Sequence, residues 1–270
     1  MLFKIGDKNM SLIEKRDKLI KEWLEAAAKE IKAAIENGFD VETKTSRTDL
    51  VTNMDRQIEE QFVQRIRKHF PEDKIISEEG FGDDLDSINM ETDTVWFLDP
   101  IDGTMNFVLQ KENFATMLAV YDKGIGQQAY IYDVEAGKLY WAIKGQGVYC
   151  NDQLLPKMQD IPLEDGLFAS NSMYLSDKQV ALNAEFTKRS MGVRTIGSAG
   201  IEASEIAKGS TVVYVSYNLK PWDIAPGLMM IQENGGVVKT FKGDAVNLLQ
   251  SNRTIMGTPA AVKEALKILK

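Results

Sequence analysis

Cysteine is almost absent from this chain, with Cys150 alone among 270 residues. An internal disulfide is therefore excluded, and the usage fits a reducing cytoplasm. No arginine stands six residues beyond Cys150, so a cysteine-phosphatase loop is excluded as well, and the thiol reads as a small buried side chain. Histidine is equally scarce: His69 stands alone and reads as a helix C-terminal residue without catalytic duty. No apolar run approaches the roughly 20 residues that a membrane span requires. The stretch Met1 to Asp7 lacks a signal-peptide core and is expected to form a short loose arm. Basic residues are outnumbered, 32 against 40 acidic, for a formal net charge of −8, which argues against direct nucleic-acid binding. Hydrophobic residues, by contrast, make up 44% of the chain. That is enough for the core of one large domain, or of two closely joined halves at about 10–150 and 151–270.

The densest chemistry lies in Trp96-Phe97-Leu98-Asp99-Pro100-Ile101-Asp102-Gly103-Thr104-Met105-Asn106-Phe107. Thr94 to Leu98 is apolar and β-prone and should be a buried strand, with Pro100, which has no N–H, ending its ladder. Asp99 then sits at a strand end and Asp102 follows three residues on. Gly103 lets the backbone approach a ligand, and Thr104 is placed to start a helix. Two carboxylates, a hydroxyl and a turn carbonyl would converge there, an all-oxygen set suited to a hard dication such as Mg²⁺ rather than to zinc. Amides at the start of the next helix would face the same point and could hold a phosphate. Taken on composition alone, the stretch reads better as a polar strand-to-helix turn.

Two further segments change that balance: Ile76-Ser77-Glu78-Glu79-Gly80 upstream and Pro221-Trp222-Asp223-Ile224-Ala225-Pro226-Gly227 downstream. With these three motifs in order, the chain resembles the inositol monophosphatase family of Mg²⁺-dependent, lithium-sensitive phosphatases, over about Lys44 to Gly257. The resemblance implies an α+β fold, the five-layer αβαβα sandwich shared with fructose bisphosphatases. It makes Glu78, Asp99, the Ile101 carbonyl, Asp102 and Asp223 ligands of two Mg²⁺ ions, with Asp99 bridging and a third, weaker ion near Glu78. Mn²⁺ would substitute, and Ca²⁺ and Li⁺ would inhibit. Glu78, Thr104 and Asp55 would position the attacking water, and the Gly103 and Thr104 amides would hold phosphate. Lys44 matches a lysine near the third metal position, although a lysine in a polar loop is by default a solvated one. Gly197, Ser198 and Ala199 match a turn that contacts substrate. At Ser216 the chain departs from the animal enzymes, which carry a glutamate that binds inositol hydroxyls, so nucleotide substrates become credible. Phe107 to Asn113 also lacks the aromatic-proline pattern common after the central motif. Bound dications would supply the positive charge that an acidic chain needs in order to hold phosphate.

The expected substrate is thus a small phosphorylated metabolite, an inositol-1-phosphate-like polyol or sugar phosphate, or alternatively 3′-phosphoadenosine phosphate or the 2′-phosphate of NADP. A cytoplasmic homodimer is expected, since relatives commonly pair. A haloacid-dehalogenase-type enzyme uses Asp-x-Asp-x-Thr, with its aspartates two apart, whereas Asp99 and Asp102 are three apart with Pro100 between them. Some bacterial relatives also serve in ribosomal RNA transcription complexes, which leaves a non-catalytic binding role as a further alternative.

The remaining chain reads as scaffold. Ser11-Leu12-Ile13-Glu14 has the form of a capping box for an amphipathic helix closed by Gly38. Lys44 to Asp49 reads as a polar loop, and a second helix runs to His69 with Asp55 near its start, where a carboxylate is also favoured by the helix dipole. Lys74 to Ser77 is a short strand, and alternation lets only one of Glu78 and Glu79 face the site, leaving Glu79 as a hydrogen-bonding or surface residue. Asp83 to Asp86 reads as a solvated acidic loop whose position would also suit a mobile flap. Strands are expected over Phe114–Tyr121, Gln128–Asp133, Lys138–Ile143, Gly166–Ser170, Thr211–Ser216 and Thr254–Gly257. Helices are expected over Ser176–Ser190, from Trp222 with Pro226 in its first turn, and from Pro259 to Lys270.

Overall fold

The computed structural model describes residues 10–44, 47, 50–171 and 176–270. The expected loose arm, and Thr45, Ser46, Thr48 and Asp49 of the expected polar loop, lie outside the described residues. Helix α1 (Leu12–Asn37) opens on the capping box: Ser11 Oγ accepts the Glu14 N–H while the Glu14 carboxylate accepts the Ser11 N–H. Gly38 ends it, donating its N–H to Ala34 O. Strands β1 (Val41–Thr43) and β2 (Leu50–Thr52) form an antiparallel pair that the sequence reading did not anticipate. Helix α2 (Asn53–His69) follows directly, capped by Thr52.

A seven-stranded sheet comes next, in the spatial order β3 (Lys74–Ser77), β4 (Thr94–Asp102), β5 (Ala115–Asp122), β6 (Ile125–Asp133), β7 (Lys138–Ile143), β8 (Gly147–Cys150) and β9 (Gln153–Leu154). β3 and β4 are parallel and the other pairs antiparallel. The short helix α3 (Thr104–Leu109) leaves the end of β4. The second half contributes β10 (Leu167–Ser170), α4 (Asp177–Arg189), β11 (Gly192–Arg194), α5 (Ala199–Ala207), β12 (Val213–Leu219), α6 (Pro221–Glu233), β13 (Val237–Thr240), β14 (Asn252–Gly257) and α7 (Pro259–Ile268). Its strands form a five-stranded sheet in the order β11-β10-β12-β14-β13.

Alternation along β4 shows how the layers stack. Trp96 and Leu98 join Ile20, Trp23, Leu24 and Phe62 in the core between the large sheet and α1/α2. Val95 and Phe97 point the other way, into a core shared with Ile201, Ile206, Ile224 and Met230 of α5 and α6. The five-stranded sheet covers the far side of α5 and α6 through Tyr214 and Met256, and buries Phe168, Val213 and Ile255 against Phe186 of α4 and Val262 of α7. The arrangement is the expected αβαβα sandwich. α5 and α6 approach closely because a Cβ on Gly227 would lie 2.8 Å from that of Ala203.

Several local expectations are corrected. Pro100 does not end the β4 ladder: Asp99 pairs with Met117 and Asp102 with Ala115, so Pro100 and Ile101 bulge opposite Thr116. Thr116 Oγ1 donates to Pro100 O at 2.8 Å, stitching the bulge down. Pro226 lies in the second turn of α6 rather than the first, because the helix already begins at Pro221. Cys150 is only half-buried, being near the short outer edge of the large sheet. The acidic loop is solvated at Asp84 to Asp86 as expected, but its first residue is tied down, because Asp83 accepts the Ile75 N–H at 2.9 Å and pairs with Arg67 at 3.1 Å.

Candidate metal centre and active site

The bulge in β4 sets the site. It carries the strand past Asp99 so that Asp102 also reaches the end of the sheet, and both are buried. Gly103 then adopts a left-handed conformation (φ +85) and turns the chain into α3, with Thr104 as its first residue. A Cβ there would meet Ser198 Cβ at 3.1 Å, so this turn also needs glycine for close approach to the second half. Asp223 arrives from the first turn of α6, where its Oδ2 accepts the Lys220 N–H at 2.7 Å. Ligand oxygens of Asp99, Asp102 and Asp223 all lie within 4.8 Å of one another. Glu78 follows β3, whose parallel register places Ser77 beside Leu98, and its carboxylate lies next to that of Asp99.

This concentration of negative charge is poorly compensated. Burial, and then the neighbouring Glu78, Asp102 and Asp223, holds Asp99 well above the usual carboxylate range. Asp223 is raised in the same way by burial and by Asp102 and Glu78. Burial pushes Glu78 up to about 7 against the opposing pull of Lys44. Asp102 is raised by burial despite three donors that favour its ionised form: Ser198 Oγ, the Ala199 N–H at 3.1 Å and the Gly200 N–H at 2.7 Å. Among the described residues, no lysine or arginine is paired with Asp99, Asp102 or Asp223. An all-carboxylate set with unanswered charge fits a hard divalent cation.

Thr104 Oγ1 lies 3.3 Å from Asp55 Oδ1 and 3.1 Å from Ile101 O. Asp55 is wholly buried, with Oδ2 accepting the Thr52 N–H and hydroxyl at 2.7 and 2.5 Å, and burial raises its pKa to about 6. Lys44 is exposed, as its loop position suggests, yet its ammonium bridges Glu78 at 3.3 Å and Glu79 at 2.5 Å. Glu79, with 4% of its side chain exposed, is correspondingly not a surface residue. The turn at Gly197, Ser198 and Ala199 meets Asp102 as just described. Ser216 is fully buried on β12 across from Thr254, its hydroxyl unpartnered among the described residues.

Two side chains support the site without having been singled out. Asn106 Nδ2 donates to Asn113 O and Ile196 O, both at 2.8 Å, joining α3 to the Gly197 turn. It lies within the central motif, which was the available signal. Glu59 lies buried in α2 under the Glu78–Glu79 turn, and a mid-helix glutamate gives no sequence signal distinguishing it from a solvated one.

A carboxylate-lined, cation-accepting site at the seam of an αβαβα sandwich defines a metal-dependent phosphatase. The family model for the inositol monophosphatase family matches residues 13–269. The inositol-1-monophosphatase of Bacillus subtilis (strain 168) is 35% identical over 250 residues, covering 92% of this chain and 93% of that protein. A crystal structure of an IMPase/NADP phosphatase complexed with Mg²⁺ and phosphate superposes with a TM-score of 0.88 at 32% identity, covering 96% of each chain. The Nus factor SuhB of Escherichia coli (strain K12) is 32% identical over 223 residues, 81% of each chain. The chain belongs to the inositol monophosphatase family, and is a phosphoric monoester hydrolase that uses a divalent metal and acts on a small phosphorylated substrate. No helix among the described residues is long and apolar enough to cross a membrane.

Proposed function

We propose that Glu78, Asp99, Asp102, Asp223 and the Ile101 carbonyl hold two Mg²⁺ ions, with Asp99 shared between them and a third, weaker site near Glu78 and Lys44. The observation that carries this reading is the meeting of the buried Asp99 and Asp102 with the half-buried Asp223, their ligand oxygens within 4.8 Å, with no paired cation among the described residues. Bound Mg²⁺ supplies Lewis-acid stabilisation of phosphoryl and leaving-group charge, and acidifies water to a nucleophile at neutral pH.

The chain's own groups then have separate duties. Asp55 and the Ile101 carbonyl both accept from the one Thr104 hydroxyl proton, which leaves the Thr104 oxygen lone pairs to orient the attacking water. Glu78, whose carboxylate lies next to Asp99, takes the proton that this water loses. The Gly103 and Thr104 N–H groups hold phosphate oxygens at the left-handed turn into α3. Gly197, Ser198 and Ala199 border the leaving group, a placement supported by the hydrogen bonds of Ser198 and Ala199 to Asp102. Water attacks phosphorus directly, and no phosphoenzyme forms.

The substrate we favour is an inositol-1-phosphate-like polyol or sugar phosphate. Serine rather than glutamate at position 216 supports a nucleotide-directed alternative, 3′-phosphoadenosine phosphate or the 2′-phosphate of NADP, and the IMPase/NADP phosphatase neighbour is consistent with it. The intact carboxylate set disfavours a purely non-catalytic role in transcription complexes. A cytoplasmic homodimer, substitution by Mn²⁺ and inhibition by Ca²⁺ and Li⁺ complete the proposal.

Phosphate release should be measured with and without Mg²⁺ over a panel of these monoesters. Mg²⁺-dependent release from at least one is expected, and none across the panel would favour the binding role. Single-turnover hydrolysis in heavy-oxygen water should label only the released phosphate. Label entering Asp99 would refute direct water attack.

A further inference from the structure

Helix α2 carries two wholly buried carboxylates one turn apart, Asp55 and Glu59. The first reaches Thr104. The second turns toward β3, where Oε1 accepts the Ser77 hydroxyl at 2.7 Å and the Phe81 N–H at 3.0 Å, and Oε2 accepts the Glu79 N–H at 2.6 Å. No lysine or arginine among the described residues is paired with Glu59. A buried ionised group is held only if its lone pairs are well used, and here three charge-assisted hydrogen bonds do so.

The identity of those three donors is informative. Ser77 precedes Glu78, Glu79 follows it, and Phe81 closes the turn that Gly80 makes in a left-handed conformation (φ +87). One carboxylate thus holds the Ser77 hydroxyl just before Glu78 and the Glu79 and Phe81 amides just after it, while Lys44 meets the Glu78 side chain. With the turn anchored this way, Glu78 has little backbone freedom relative to Asp99.

We infer that Glu59 is a positioning residue: it fixes the Glu78 turn so that the Glu78 carboxylate is presented to the metal alongside Asp99. This rests on the reading of Glu78 as a metal ligand. Because Asp55 lies one turn away on the same rigid helix, α2 also sets the spacing between that ligand and the Thr104 hydroxyl.

The test is a calorimetric titration of the full chain with Mg²⁺ alone, alongside turnover and melting temperature. Glu59→Gln keeps the volume but offers one acceptor oxygen to three donors, and should weaken Mg²⁺ binding roughly 10-fold. Glu59→Ala should weaken it by up to roughly 100-fold, the range seen when groups that orient metal ligands are removed. Turnover at saturating Mg²⁺ should change far less than the Mg²⁺ concentration needed to reach it. Ser77→Ala, a small change that removes a single donor, should shift affinity a few-fold in the same direction and serves if the Glu59 variants do not fold. Mg²⁺ affinity unchanged in Glu59→Gln or Ser77→Ala, with only a lower melting temperature, would overturn the inference and leave Glu59 a structural residue. Failure of the unsubstituted protein to bind Mg²⁺ would instead overturn the metal reading itself, and this inference with it.

Discussion

Strand β4 separates two buried clusters of charge that are built on opposite terms. On the face toward α1 and α2, Asp73 accepts from Arg16 at 2.7 Å and from the Trp96 indole at 2.8 Å, and the guanidinium lies over the Phe70 and Trp96 rings. Charge there is matched within the chain. At the end of the same strand, Asp99 and Asp102 face Asp223 and Glu78, and the Lys44 ammonium pairs with Glu78 and Glu79 rather than with the aspartates. Both clusters contain buried groups, Arg16 in the first and Asp99 and Asp102 in the second, so burial does not tell structure from function. The difference is whether the counter-charge belongs to the protein or has to come from outside.

The largest expected effect falls on the unmatched side. Asp99→Asn should reduce turnover by about 10³-fold, the scale on which a main electrostatic group is lost from an active site. The same change should raise the melting temperature of the metal-free protein, because it relieves repulsion among buried carboxylates. A lower metal-free melting temperature would erase the contrast. On the matched side the signs reverse: Arg16→Met leaves Asp73 without its cation and should cost about 3 kcal/mol in denaturant unfolding, while the folded variant turns over normally.

A smaller effect follows from protonation. The pKa values of Asp55 and Glu78 are raised by folding to about 6 and about 7, so their ionisation opposes folding of the metal-free chain. The stability gained by keeping them neutral is present at low pH and lost as pH rises through that window. Mg²⁺ favours the ionised forms and competes with protons. The rise in melting temperature caused by Mg²⁺ should therefore grow from about pH 5 to about pH 8. A pH-independent rise would place the ion elsewhere. The smallest change is expected for Ser198→Ala, which removes one donor to Asp102 and the N-cap acceptor for the Ile201 N–H, worth about 1 kcal/mol of stability.

Sequence motifs located most of this site because its residues sit where local rules act: strand ends, a glycine turn, and the first turns of helices. Asp99 and Asp102 stood out from their own turn, Glu78 and Asp223 through the motifs around them, and the three aspartates do come together; the helices with strong caps were placed to within a residue or two. Positions decided by distant partners were misread. The ion pairs of Lys44 left no local trace, because its carboxylate partners are 34 and 35 residues away. The β4 ladder continued past Pro100 because Thr116, on the neighbouring strand, anchors the bulged carbonyl. Glu59 gave no signal at all, since in a helical pattern a buried glutamate and a surface one are written alike.

Asp99 and Asp102 ride on the large sheet, while Asp223 and Ser198 are delivered by α6 and α5 from the other half. An ion seated among them, as proposed above, would work as a rivet through two plates. Neither half would then enclose a finished site by itself, so catalytic readiness and mechanical cohesion would become the same event. Any slippage between the plates would be felt first at the rivet hole.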